Sequence, residues 1–368
     1  MFTSFLTNLT STLTACGLKT ATANPYFLFG SLYDTLQVGG NAQQVNTVGG
    51  DTNWYSSYFW ISNNVAGTTV GGITNVLNFA WNICEVDVIA GPLGATNLIV
   101  MTNSGTAYTT AFSINANSAT TKGIPTLWTN PAGPQQLNLA LAEYGTGTNA
   151  VVNMGMWNNT VFNGLIMGIQ CQNGSTVSNE VLHVPSANTA PIYAAWQPDI
   201  ILWEDIEASF GQTDFTMFTT NMQNWVRFYF NQCPNTAVVL CGTYPTIPAG
   251  PAIWAQNMVI FTNAQLFANQ GLPVSYYDGY TPFENTNVMN SRGFFASAQN
   301  DGIHITSQGM TTYGYFLWRW FGLCDAQSIQ NNYSGTFTGK GSGITTNVSV
   351  SGLTFYITNG LIMQVSGP

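Results

Sequence analysis

Between residues 198 and 320 apolar runs of strand length alternate with stretches of helical period, and this alternation restricts the architecture more than any other feature of the chain. Pro198-Asp199-Ile200-Ile201-Leu202-Trp203 is continuously apolar after its second residue, as is Ala237-Val238-Val239-Leu240-Cys241, and the run from Leu272 to Tyr277 is broken only by Ser275. Such runs suit strands covered on both faces. Met217, Met222, Trp225, Val226 and Tyr229 mark an apolar helical stripe over 215–230, and a second helix runs through 266–270. Strand, helix and strand at this spacing predict a parallel sheet wound with helices on both faces.

The chemistry concentrates after the last of these strands. The chain has only two histidines, His183 and His304, and His304 stands three residues after Asp301. That spacing lets a carboxylate fix one imidazole nitrogen while the other faces a nucleophile. It also occurs where a loop aspartate merely caps a helix, so the spacing alone does not define a catalytic pair. The residues after His304 narrow the choice. Gly309 breaks the chain, and Tyr313, Phe316, Leu317, Trp320 and Phe321 recur at helical spacing, so a helix with a buried aromatic face pins the loop.

Asp301-x-x-His304, then Thr306-x-x-Gly309 and the helix, resembles the last sequence block of the SGNH/GDSL hydrolases. Near the other end, 24–30 reads as an apolar strand closed by Gly30 and followed by Ser31-Leu32-Tyr33-Asp34-Thr35. A strand that ends in glycine and hands a serine to the sheet edge is how α/β hydrolytic folds expose a nucleophile. The same residues also suit a turn serine bonded to its own backbone. They resemble the family's Phe-Gly-Asp-Ser-Leu block with the aspartate deleted. The second block aligns at 181–189, where the expected glycine is absent and Ser186 or Ala187 must offer the backbone N–H; 64–69, with Gly67, fits the spacing less well. The third block expects Gly-x-Asn-Asp, and here the asparagine position falls on Glu207. An ionised carboxylate cannot donate to an oxyanion.

The resemblance implies a three-layer, flavodoxin-like parallel sheet, a triad of Ser31, Asp301 and His304, and oxyanion positions at Ser31, Ser186, Ala187 and Glu207. It implies no cofactor and no metal. Residues 84–180 read differently, as short alternating runs separated by Gly, Asn and Pro turns, which predicts an antiparallel β-sandwich. SGNH proteins of phage and polysaccharide-degrading types carry such a module between the first two blocks. Trp128 and Trp157 are its candidates for stacking on sugar rings, although core packing is the commoner fate of tryptophan in a sandwich.

The expected organisation is a helical or docking segment over 1–23, a first SGNH part over 24–83, the inserted sandwich over 84–180, a second SGNH part over 181–325 and a small β module over 326–368. In the first segment Phe2, Phe5, Leu6, Leu9 and Leu13 share one helical face. In the last, alternating strands flank Asn359-Gly360, a hairpin signal. That module is too small to fold alone. It resembles the terminal modules of phage tail and other virion proteins, which implies a homo-oligomer, a trimer among the options, and other virion proteins as partners.

Charged residues make up 6% of the chain, against about 25% in an ordinary soluble protein. The surface is therefore left to Asn, Thr, Ser, Gln and Gly, a composition suited to an extracellular or virion protein. Six scattered basic residues and a formal charge of -9 argue against nucleic acid as a partner. No run reaches the ~18 apolar residues of a membrane helix, and no basic n-region precedes an apolar core at the start, so neither membrane insertion nor a secretory signal is expected. The six cysteines, Cys16, Cys84, Cys171, Cys233, Cys241 and Cys324, have no zinc spacing and read as buried thiols, an even count leaving disulfides open. The functional expectation is a virion-associated carbohydrate O-acyl esterase or deacetylase acting on a host surface glycan. The competing expectation is a structural or receptor-binding virion protein on the same fold with a decayed site.

Overall fold

The computed structural model describes residues 80–92, 94, 97–103, 107–144, 146–160, 177, 189–205, 215–295 and 301–320, with the strand backbones of 26–29, 37–38, 42–45, 58–63, 69–75, 346–350, 353–358 and 361–366. The chain divides into two compact units, Lys19–Trp196 and Met1–Leu18 with Gln197–Pro368.

The Lys19–Trp196 unit carries β1 (Tyr26–Phe29), β2 (Gln37–Val38), β3 (Ala42–Val45), β4 (Tyr58–Asn63), β5 (Thr69–Asn75), β6 (Ile83–Ala90), β7 (Asn97–Asn103), β8 (Thr109–Ile114), β9 (Lys122–Thr129), β10 (Asn138–Tyr144) and β11 (Gly147–Trp157). They form two antiparallel sheets, β3-β4-β11-β6-β9 with β1 also on β11, and β2-β5-β10-β7-β8. Alternate residues of β6, Cys84, Val86, Val88 and Ala90, share one buried cluster with Leu98 and Val100 of β7 and Leu139 and Leu141 of β10. The period-2 pattern thus puts one face of each sheet into a common core. Strands β1 to β5 belong to this pair of sheets, which corrects the expectation that 24–83 joins the parallel sheet. The physical reason is register: Tyr26 lies opposite Met156 and Phe29 opposite Asn153, so β1 is satisfied by an antiparallel partner.

The outer face of β6 and β11 is covered by the helix α1 (Ala190–Trp196). Ile192 and Trp196 pack on Ile89, Ala150 and Val152. Beneath them two carboxylates are buried, Glu85 and Asp87. The side-chain amide of Asn153 donates to Asp87 Oδ2 at 2.8 Å and the Trp196 indole N–H donates to the same oxygen at 2.9 Å. Burial pushes both carboxyls up, and the neighbouring Asp87 charge raises Glu85 further.

The other unit holds three parallel strands in the order β12 (Ile200–Glu204), β13 (Ala237–Cys241) and β14 (Val274–Tyr277). Its helices are α2 (Phe215–Gln232), α3 (Gly250–Asn269), α4 (Thr286–Ser291) and α5 (Ser307–Trp320). Tyr276 meets Phe261 of α3 edge-on, and the adjacent Tyr277, on the opposite face, meets Tyr313 of α5. The sheet therefore has α3 on one face and α5 on the other. On α2 the buried stripe is Phe218, Met222, Trp225, Val226 and Tyr229, while Met217 is 64% exposed. Met217 sits one residue off the stripe that ~100° per residue projects inward from Met222 and Trp225, which corrects its assignment to that face. Helix α3 begins far upstream of 266–270, with a proline in its first turn. Its buried Ile253, Ile260 and Phe267 are mixed with exposed Trp254, Met258 and Leu266, so no clean stripe announces it.

Three C-terminal strands, β15 (Thr346–Val350), β16 (Leu353–Thr358) and β17 (Leu361–Ser366), form an antiparallel sheet. Thr358 pairs with Leu361 across the Asn359-Gly360 signal. The expected docking segment over 1–23 lies outside the described residues.

A candidate active site at the edge of the parallel sheet

The parallel register brings Glu204, Cys241 and Tyr277 side by side at the C-terminal ends of their strands. Helix α3 fixes the segments beyond those ends. Gln256 donates to the Asp205 carbonyl at 2.6 Å, and Asn257 both donates to the Thr243 carbonyl at 2.8 Å and accepts its N–H at 3.0 Å. Both amides are buried. Between β13 and β14 the backbones nearly touch: a Cβ on Gly279 would stand 1.9 Å from the Gly242 oxygen, so only glycine fits. Asp278 closes the next turn by accepting the N–H groups of Tyr280 and Thr281 at 2.9 and 3.1 Å.

Onto this edge the loop before α5 places Asp301 and His304. Gly302 turns the chain with φ at +72°, a region glycine enters without strain. The turn lets Asp301 Oδ1 accept the N–H groups of Ile303 and His304, each at 2.9 Å, while Oδ2 lies 2.5 Å from His304 Nδ1. The loop is tied down by its backbone: Ile247 N–H donates to the Gly302 carbonyl at 3.0 Å and the Tyr244 hydroxyl to the Ile303 carbonyl at 2.9 Å. Slight burial opposes ionisation of Asp301, but the His304 and Ile303 N–H groups and the imidazole outweigh it and hold the carboxyl down at about 2. With Asp301 ionised, Nδ1 carries the proton and Nε2 is the basic nitrogen. The His304 side chain is 35% exposed, so the base is reachable from solvent.

Thr306 accepts the Gly309 N–H at 3.2 Å and starts α5, whose Tyr313 and Leu317 are buried under the sheet. One group that sequence reasoning passed over is Glu204. Desolvation pushes its carboxyl up to about 7, against the pull of the Tyr313 hydroxyl. Its signal was there, a carboxylate closing an apolar strand. Gln256 and Asn257 had none, being two amides inside a helix without a motif.

Ser31, Ser186, Ala187 and Glu207 lie outside the described residues, as does His183. Trp128 stacks on Phe112 with ring centroids 5.8 Å apart and meets Trp81 edge-on at 6.2 Å, against the sandwich core. Trp157 ends β11 opposite Ile83, half-buried. Among the described residues no group of three or more His, Cys, Asp or Glu side chains is arranged to hold a metal ion.

No protein-family model matches the sequence. No curated protein matches it either. Among solved structures, a peptidoglycan O-acetylesterase is similar over 88% of this chain and 87% of its own, with a TM-score of 0.60 and 13% identity. A family two carbohydrate esterase from Cellvibrio japonicus covers 82% of this chain and 98% of its own at a TM-score of 0.33 and 11% identity. A family 3 carbohydrate esterase from Clostridium thermocellum covers 47% and 76% at 0.33 and 17%. Those two scores are too low to argue from, and the first carries the comparison: this chain shares its fold with a peptidoglycan O-acetylesterase, and its sheet edge presents an Asp-x-x-His loop of the kind the SGNH/GDSL resemblance implies.

Proposed function

We propose that the protein is a carbohydrate O-acyl esterase of the SGNH type. The observation that supports it is the Asp301–His304 pair, oriented by two backbone N–H groups at the C-terminal edge of a parallel sheet, in a chain that shares its fold with a peptidoglycan O-acetylesterase. In this reading Ser31 attacks the acyl carbon as His304 Nε2 takes its proton. The bond from acyl carbon to sugar oxygen breaks, and that oxygen leaves with the proton from His304. Water, deprotonated by the same nitrogen, then attacks the acyl carbon, the bond to Ser31 Oγ breaks, the acid leaves, and Oγ takes the proton back from His304. Backbone N–H groups near Ser31, Ser186 and Ala187 hold the oxyanion, and Glu207 weakens that hole whenever it is ionised.

The decisive measurement is acetate release from an O-acetylated polysaccharide. The expected result is activity that Ser31→Ala and His304→Ala each reduce by at least about a thousandfold. Activity that survives Ser31→Ala shifts the nucleophile to another residue. A chain that binds the polysaccharide but releases nothing, in wild type and in Glu207→Asn alike, is the receptor-binding protein of the competing reading. The low charge and the C-terminal β module support a place on a virion surface, facing a host glycan, as a homo-oligomer. Sedimentation of the full chain against a version lacking 326–368 tests the oligomer, which the truncation should dissociate.

A further inference from the structure

The segment after β13 turns abruptly from buried to exposed. Residues 241–246 are all buried, and then Ile247 and Pro248 both face solvent, Ile247 at 54%. A single exposed apolar side chain needs no explanation on a protein surface. Two features set this pair apart, where it stands and how firmly it is held.

Ile247 stands against the loop that carries Asp301 and His304. A Cβ built on Gly302 would lie 2.6 Å from Ile247 Cβ, 2.8 Å from Cδ1 and 2.9 Å from Cγ1, so the isoleucine side chain lies flat over the glycine, one residue from Asp301. Only a residue without a side chain at 302 allows that approach. Two struts fix the arrangement: the Ile247 N–H donates to the Gly302 carbonyl at 3.0 Å, and the Tyr244 hydroxyl donates to the Ile303 carbonyl at 2.9 Å. Branching at Cβ leaves Ile247 few rotamers, and the ring of Pro248 fixes its own backbone angle. One side of the isoleucine is occupied by Gly302. Its other side, with Pro248, is a rigid apolar ledge at the C-terminal edge of the parallel sheet, the edge at which open α/β sheets take their ligands. A surface that is already ordered loses little entropy when it is covered.

The chemistry of the ledge selects what can cover it. Both side chains are apolar and uncharged, and proline has no N–H to offer. A sugar ring is polar at its rim but presents C–H groups on its faces, so one face can lie on such a ledge while the rim hydroxyls stay in water. The oxygen that His304 protonates belongs to the sugar, which puts the ring, rather than the far end of the acyl group, on the side of the His304 loop.

We propose that Ile247, with Pro248, is a specificity-determining ledge that takes the C–H face of the sugar bearing the acyl group. The inference rests on the esterase reading for the identity of that ring, and its binding test needs no turnover.

The test is calorimetric titration of the full chain with de-O-acetylated fragments of xylan and of peptidoglycan. It is run beside acetate release from the O-acetylated fragments and from methyl acetate, which has no sugar. Wild type should bind one of the two kinds of fragment. Ile247→Ala should raise the Kd for it about tenfold. Ile247→Tyr, whose ring can stack on the sugar, should hold it within about twofold. Ile247→Val keeps the Cβ contact with Gly302 and should fall between wild type and Ile247→Ala, which preserves the comparison if the alanine variant does not fold. In acetate release, Ile247→Ala should raise KM for the fragment more than it lowers kcat, and the ratio of kcat/KM between fragment and methyl acetate should fall about tenfold. An unaltered Kd in Ile247→Ala overturns the proposal, as does the absence of fragment binding in wild type. Equal losses on fragment and methyl acetate also overturn it and make Ile247 a prop of the loop. Fragment binding that Ile247→Ala weakens, with no acetate released from any ester, keeps the ledge and removes the esterase reading.

Discussion

At the scale of single residues the site depends on one turn. Asp301 collects two backbone N–H groups and the imidazole because Gly302 takes a positive φ, where a Cβ would also lie 2.6 Å from Ile247 Cβ. Gly302→Ala should therefore cost about 1–3 kcal/mol in stability and lower kcat, read by thermal melting and by acetate release. Asp301→Asn should cut kcat by up to about 10⁴-fold, since an amide no longer fixes the imidazole tautomer. The same carboxyl is linked to pH. Its folded value lies below the ordinary one, so its contribution is complete above about 4 and is lost as pH falls toward about 2. Melting of wild type and Asp301→Asn should converge over that window. Asp301 and His304 were legible in the sequence because a three-residue spacing and a following helix are local facts. Gln256 and Asn257 act through helix docking onto Asp205 and Thr243, 51 and 14 positions away in the chain.

At the scale of elements the helix α1 sits on two acids. Trp196 donates to Asp87, so Trp196→Phe removes a buried bond and should cost about 1–3 kcal/mol. The folded carboxyls of Glu85 and Asp87 are raised above their unfolded values, so the stability they leave intact is greatest in acid and declines as pH rises through the folded values. Asp87→Asn should flatten that decline, raising the melting temperature at alkaline pH relative to wild type. A variant that melts with the wild-type pH slope would place the titration elsewhere. The strands β12 and β13 were readable as continuous apolar runs, and the alternation after residue 84 announced antiparallel strands. What local pattern could not decide was the partner of β1, because Tyr26–Phe29 is apolar enough for either kind of sheet and only long-range pairing chooses.

At the scale of the whole molecule each unit has its own core, one gathered around Trp81, Val86 and Leu139 and the other around Tyr277, Phe283 and Tyr313. Calorimetry should resolve two transitions, and Asp87→Asn should move one of them alone. With 6% charged residues, and an exposed Arg292–Glu284 pair at 3.3 Å beside the Asp301–His304 contact, neither transition should shift by more than a few degrees between low and ~0.5 M salt. The near contact of Gly242 and Gly279 reaches beyond this one chain. Where two main chains pass so closely, drift cannot substitute Gly279 without moving a strand end, whatever happens to the side chains around it. In chains that share this sheet edge at the 13% identity seen with the acetylesterase, such steric landmarks outlast motifs. An alignment anchored on Gly279 and the Asp-x-x-His loop should therefore recover distant relatives that overall similarity misses.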